Sequence, residues 1–132
     1  MPEVVFDFAS RDCVQRAEQG AELEIIDPIT GKSTDVFIVL AGADSTRYRN
    51  TSFMFTRRRI RNGARSEFDP EKLEKENIEV LAACTLSWKG VVLEGKDLPC
   101  TRENAVMLYT RFPWVKEQVE RFVIDRASYF RD

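Results

Sequence analysis

Residues 36–40 read VFIVL, an unbroken apolar run. A strand of that composition expects cover on both faces, so it needs strands beside it and a second layer above it. Its partner lies just upstream. AELEII (21–26) and TDVFIVLAG (34–42) flank DPITGK (27–32), in which Pro28 and Gly31 are turn residues. The pattern predicts an antiparallel β-hairpin with a loop of several residues.

Downstream the spacing becomes helical. Asp44 and Ser45 are capping residues for a helix running to about residue 62 and closed by Gly63. At about 100° per residue, Tyr48, Ser52 and Phe55 fall together, with Phe53, Thr56 and Ile60 alongside. Arg47, Asn50, Met54, Arg57, Arg58 and Arg61 form a second stripe. Asp69 followed by Pro70 predicts another helix, reaching about Ser87. It places Leu73, Asn77, Val80, Leu81, Cys84 and Trp88 on one side. Residues 88–100 read as an irregular connection with turns near Gly90 and Gly95. Thr101 caps a helix with Ala105, Leu108, Tyr109 and Phe112 on one stripe. Pro113 opens the last helix. Its apolar arc holds Val115, Val119, Phe122, Val123 and Phe130, with Tyr129 at the edge and Arg126 in the middle. A guanidinium there must pair, snorkel or face a partner. Near the start, residues 4–8 read as extended, and Ser10 as the cap of a short helix ending before Gly20. The sum is one α+β domain spanning residues 1–132. It is mainly helical, with three to four helices and a small N-terminal antiparallel hairpin or sheet.

Chemistry is narrowed by what is missing. The 132 residues contain no histidine, so Ser-His and Cys-His nucleophile pairs are excluded. Cys13, Cys84 and Cys100 form no CxxC pair and no disulfide framework; they read as apolar thiols. There is no Walker-type or GxGxxG loop. The expectation is a protein without enzymatic activity, cofactor or metal. Hydrophobic residues make up 43% and charged residues 32% of the chain, which suits a single packed core under a charged surface. No apolar run approaches the roughly 20 residues that cross a bilayer, and MPEVVFDFAS is not expected to be a secretory signal.

The C-terminal half carries a resemblance. LAACTLSWKG (81–90), LPCTRENAVMLYTRFPWVKEQV (98–119) and DRASYF (125–130) resemble the tail assembly chaperones of long-tailed phages with HK97-like tails. The DPxTGK-type hairpin and the helix beginning near Asp44 fit the same outline. The resemblance implies a protein that acts in the host cell cytoplasm during tail morphogenesis and is absent from the finished tail. It implies two partners, the tape measure protein, which it keeps soluble, and the tail tube protein, which it helps to recruit. It further implies self-association into rings or spirals and, in many relatives, a longer form made by ribosomal frameshifting. Two other classes compete. One is a permanent virion component of the tail or head–tail junction. The other is a small DNA-binding protein using the arginine-rich helix.

Protein-binding candidates follow from residues that break their local pattern. Residues 44–65 carry seven arginines against one aspartate, and residues 67–79 carry six acids against two lysines. Arg57, Arg58 and Arg61, with Arg47 and Arg65 nearby, suit a solvated face, a docking face or a phosphate-binding face. The total charge of −2 and the acidic stretch that follows count against nucleic acid. One expectation is that these arginines dock on the acidic 67–79 segment of a neighbouring copy. Met54 among arginines hints at an adaptable contact surface. Trp114 lies off its helix's apolar arc, so it packs on the 88–100 loop or binds a partner. Arg126, Tyr129 and Phe130 form a similar candidate near the C-terminus, with local packing as the competing role for each.

Overall fold

The computed structural model describes residues 5–63 and 69–130. Val4, Arg65, Glu67 and Phe68, parts of the extended, basic and acidic segments above, lie outside the described residues. The architecture is α+β, with five α-helices among the described residues rather than the three to four expected, and two small antiparallel sheets there. In chain order the elements are α1 (Cys13–Gln19), β1 (Ala21–Ile26), β2 (Ser33–Leu40), α2 (Thr46–Asn62) and α3 (Pro70–Cys84). There follow β3 (Thr85–Lys89), β4 (Val92–Leu93), β5 (Lys96–Asp97), α4 (Arg102–Arg111) and α5 (Pro113–Ile124). Short 3₁₀ turns cover Phe8–Arg11 and Arg126–Tyr129.

The hairpin forms as expected. The Asp27 carbonyl accepts from the Gly31 N–H at 2.9 Å, and the Asp27 N–H donates to the Lys32 carbonyl at 2.8 Å. Strand β2 is central, with β1 and β3 antiparallel on either side. Its two faces are not covered equally. Ile38 and Leu40 are fully buried, whereas Phe37 and Val39 on the opposite face are half-buried, and Lys89 sits 4.9 Å from the Phe37 ring. The expected burial on both faces is therefore met on one.

The third strand was not expected. The helical spacing of residues 70–88 runs on to Trp88, but the helix stops at Cys84. Thr85, Ser87, Trp88 and Lys89 pair with β2 instead. The Thr85 hydroxyl meets the Leu81 carbonyl at 2.9 Å and the Tyr109 hydroxyl at 2.7 Å, which satisfies a polar group beside the core. The predicted irregular connection contains the β4–β5 hairpin, tied to β3 by the Trp88 Nε1–H donating to the Leu98 carbonyl at 2.8 Å.

Helices α3, α4 and α5 pack on the inner face of the sheet. The core joins Ile25, Ile38 and Leu40 to Leu81, Leu108, Tyr109, Val119 and Val123. Each such side chain contributes about 1.5–3 kcal/mol by leaving water. Two caps differ from expectation. Asp7 and Asp12, not Ser10, accept the N–H groups that open the first two helical segments. Of the two capping residues expected for α2, Ser45 is the one that caps it. The last helix ends at Ile124, because the Asp125 carboxylate captures the Ala127 N–H and opens a 3₁₀ turn.

Candidate functional site

Pro113 separates α4 from α5 and leaves Phe112 and Trp114 on either side of the break. Both half-buried rings line an open apolar cavity of about 240 Å³. Ile25, Val36 and Ile38 form its sheet side, Val91 and Leu93 its loop side, and Leu108 and Val115 its helix side. The loop is held close by Gly90. Its φ is +82°, and a Cβ there would sit 2.5 Å from the Asp35 carbonyl oxygen, so only glycine fits. Val92 stands 57% exposed beside the opening. Trp114 therefore shares this cavity with residues of the 88–100 loop and borders open space. The cavity suits one apolar side chain of a partner.

The outer face of α2 is the second surface. The helix buries only Phe55, with Tyr48 and Ser52 half-buried beside it against α3. Phe53 and Ile60, which lie alongside that stripe by helical angle, are exposed. They share the outside with Met54, Arg57, Arg58 and Arg61, all exposed. Among the described residues Arg57, Arg58 and Arg61 form no ion pair. Arg58 lies 5.5 Å from the Phe55 ring.

The acidic segment is already engaged within its own chain. Buried Glu76 pairs with Arg59, Glu74 with Lys116 at 2.8 Å, and Glu79 with Arg102 at 3.5 Å. Burial opposes charge on Lys116, yet its bond to Glu74 and the nearby Glu120 carboxylate raise its pKa overall. Of its other described acids, Asp69 caps α3 and Glu71 is exposed, with no ion pair among the described residues.

The C-terminal candidates separate. Arg126 does not enter the apolar arc; it is exposed and grips Asp44 at 2.7 and 3.0 Å. That pair holds the Asp44 carboxyl below its usual range. Tyr129 is buried, its ring 5.5 Å from Phe122 and pressed on Gly42, where a Cβ would approach it to 2.9 Å. It is a packing residue, and burial raises its hydroxyl pKa. Phe130 is half-buried, with the Arg16 and Arg11 guanidinium carbons 5.0 and 5.9 Å from its ring.

Comparison with family models, curated proteins and solved structures finds no match. The surfaces thus stand on their own geometry. Among the described residues no group of three or more Cys, Asp and Glu side chains is placed to hold a metal ion. The buried Cys84 thiol is pushed up to about 12 by burial, which keeps it neutral. No described helix is long and apolar enough to cross a membrane.

Sequence reasoning missed two features. One is the part of the cavity built by β1, β2 and residues 90–93, which no local pattern announces. The other is the N-terminal segment, where Val5, Phe6 and Phe8 stand 78%, 60% and 84% exposed. The apolar run VVFDF, interrupted only by Asp7, was its available signal.

Proposed function

We propose that this chain is a tail assembly chaperone of a long-tailed phage. It holds the tape measure protein soluble in the host cytoplasm, helps to recruit tail tube subunits, and leaves before the tail is complete. The observation that carries this reading is the open apolar cavity at Trp114. Gly90, Leu108, Phe112, Trp114 and Val115 of its lining lie in the segments that bear the chaperone resemblance. A long helical filament protein exposes apolar side chains before its tube covers it, and such surface aggregates. A cavity that takes one apolar anchor, repeated on many copies, shields that surface reversibly.

The test is co-expression with the tape measure protein of the same phage. Soluble tape measure should rise with the wild-type chain and fall back with Trp114→Ala or Val92→Glu. Unchanged solubility with the wild-type chain would sink the reading. So would finding the polypeptide in stoichiometric amounts in purified particles, which would favour a structural virion role.

A further inference from the structure

Strand β1 is an edge of the sheet, whose order is β1-β2-β3. Its backbone groups therefore alternate between β2 and open space. Two observations fix which ones point outward. Just beyond the β2–β3 ladder, the Ala41 N–H donates to the Cys84 carbonyl at 2.8 Å, so the odd-numbered residues of β2 bond toward β3. Ile38 and Leu40 then bond toward β1, opposite Leu23 and Ala21. At the far end of β1, the Gln118 side chain of α5 holds Ile26 from the other side. Both observations leave the N–H and carbonyl groups of Glu22, Glu24 and Ile26 on the outer edge.

The Gln118 contact has a specific form. The Ile26 N–H donates to Gln118 Oε1 at 2.8 Å, and Gln118 Nε2 donates to the Ile26 carbonyl at 2.8 Å. A side-chain amide thus exchanges both bonds with one residue, as the peptide groups of an antiparallel strand do. It serves Ile26 alone. Among the described residues no further bond reaches the outward backbone groups of Glu22 and Glu24. Beside this edge an open groove of about 220 Å³ separates β1 from α5. Leu23, Glu24 and Ile26 line its strand side, and Gln118, Arg121 and Phe122 its helix side.

We propose that the outer edge of β1 takes an added strand from a partner protein, an extended segment in which basic and apolar residues alternate. The backbone sets the first requirement, since alternating donors and acceptors are matched by another extended chain. Side chains set the second. Residues opposite Glu22 and Glu24 share their exposed face, where opposite charge is favoured. Glu24 forms no ion pair among the described residues, and Glu22 has only exposed Lys89 at 3.6 Å. The residue between them lies on the other face, with half-buried Leu23 and Phe122 of the groove, and is apolar. A second β1 fails these requirements, because its own glutamates then stand opposite carboxylates. A helical filament fails them too, because its backbone groups are bonded within the helix. The occupant is therefore distinct from the apolar anchor assigned to the Trp114 cavity, and the inference does not depend on that assignment.

The test uses the isotope-labelled full chain and an acetylated heptapeptide alternating lysine and valine, with amide exchange read by nuclear magnetic resonance. At about 1 mM peptide, which detects millimolar Kd, the Glu22 and Glu24 amides should gain protection. The Leu23 amide, already facing β2, should change little. Gln118→Ala frees the edge at Ile26, so protection should extend to the Ile26 amide and binding should tighten. The same peptide N-methylated on the backbone nitrogens of its lysines, those that face β1, should not bind. A glutamate–valine peptide should bind roughly tenfold more weakly, and Glu22→Lys/Glu24→Lys should reverse that preference. Both glutamates are exposed, so this variant probes recognition and not folding. Unprotected Glu22 and Glu24 amides, equal binding of the N-methylated peptide, or a preference that does not reverse overturns the proposal. Shifts confined to the Trp114 cavity also overturn it, because the valines alone then explain binding. So does protection of Glu22 and Glu24 that rises with protein concentration without peptide, which gives the edge to a second copy.

Discussion

Replacing Phe55 with alanine should release α2 and leave the rest of the fold standing. Phe55 is the buried side chain of this 17-residue helix, which packs on α3. Phe→Ala in a core costs about 3–5 kcal/mol. Phe55 keeps 8% exposure and lines a neighbouring cavity of about 150 Å³, so the low end applies, about 3 kcal/mol. Half-buried Tyr48 and the Arg59–Glu76 pair remain, and they tether the helix without sealing it. At 1.4 kcal/mol per decade, about 3 kcal/mol raises the population of the opened helix roughly 150-fold. Amide hydrogen exchange read by mass spectrometry should show that acceleration across α2, with α3, α4 and α5 protected as before. Ile60→Ala, on the outer face, should leave exchange of the isolated protomer unchanged. Equal loss of protection in α2 and the sheet would refute the reasoning, since α2 would then belong to the cooperative core. So would unchanged exchange in α2.

Two further outcomes follow from titratable groups. Asp44 has a folded-state pKa below its ordinary 3.8, so its pairing with Arg126 stabilises the protein above that pH and is lost as pH falls through the depressed value. The melting difference between wild type and Asp44→Asn should therefore be present at pH 7 and shrink on acidification; a difference equally large at pH 2 would contradict the pairing. With iodoacetamide at pH 8, Cys13 and Cys100 should react in the native protein and Cys84 only after denaturation, since Cys84 is fully buried and its thiol is pushed up to about 12. Rapid native labelling at all three positions would refute that burial.

The elements that local chemistry dictates were legible. Pro70 behind Asp69, Thr101, Pro113 and the DPITGK turn each act within a few residues of themselves, and each marks its boundary correctly. What failed depended on distant partners. Residues 85–89 continue a helical stripe but pair with β2, because β2 has a free edge there and Leu86 and Trp88 alternate as a strand requires. Arg126 lies on an apolar arc only if the helix continues; one carboxylate, Asp125, ends it, and another, Asp44, pairs with the guanidinium. Phe53 and Ile60 were placed alongside Tyr48 and Phe55 by angular neighbourhood alone. Helix α2 packs on α3 along one narrow seam, so residues just beyond that seam are left in water. The cavity at Trp114 was half legible. Its aromatic rim is local to the break at Pro113, whereas its sheet side comes from residues about eighty positions away.

The cavity and the outer face of α2 have separate foundations, since no residue of α2 or α3 lines the cavity. On the proposed reading, gripping a filament at the cavity and joining copies through α2, the docking expected of its arginines, need not compete, and they are separable by mutation. For a monomeric apolar helical peptide, Arg57→Glu/Arg61→Glu should bind as wild type, because the Trp114 cavity is untouched. For a filament with many repeats the same variant should bind far more weakly. A copy bound beside another gains an effective local concentration from its neighbour, a gain of the order of 10²–10⁴ that vanishes when the copies cannot touch. Trp114→Ala should show the reverse, with assembly intact and peptide binding lost. Isothermal calorimetry with the single peptide and co-sedimentation with the long tape measure protein give the two readouts. If the arginine variant lost both in equal proportion, α2 would itself hold the filament, and the division of labour between the two faces would be wrong.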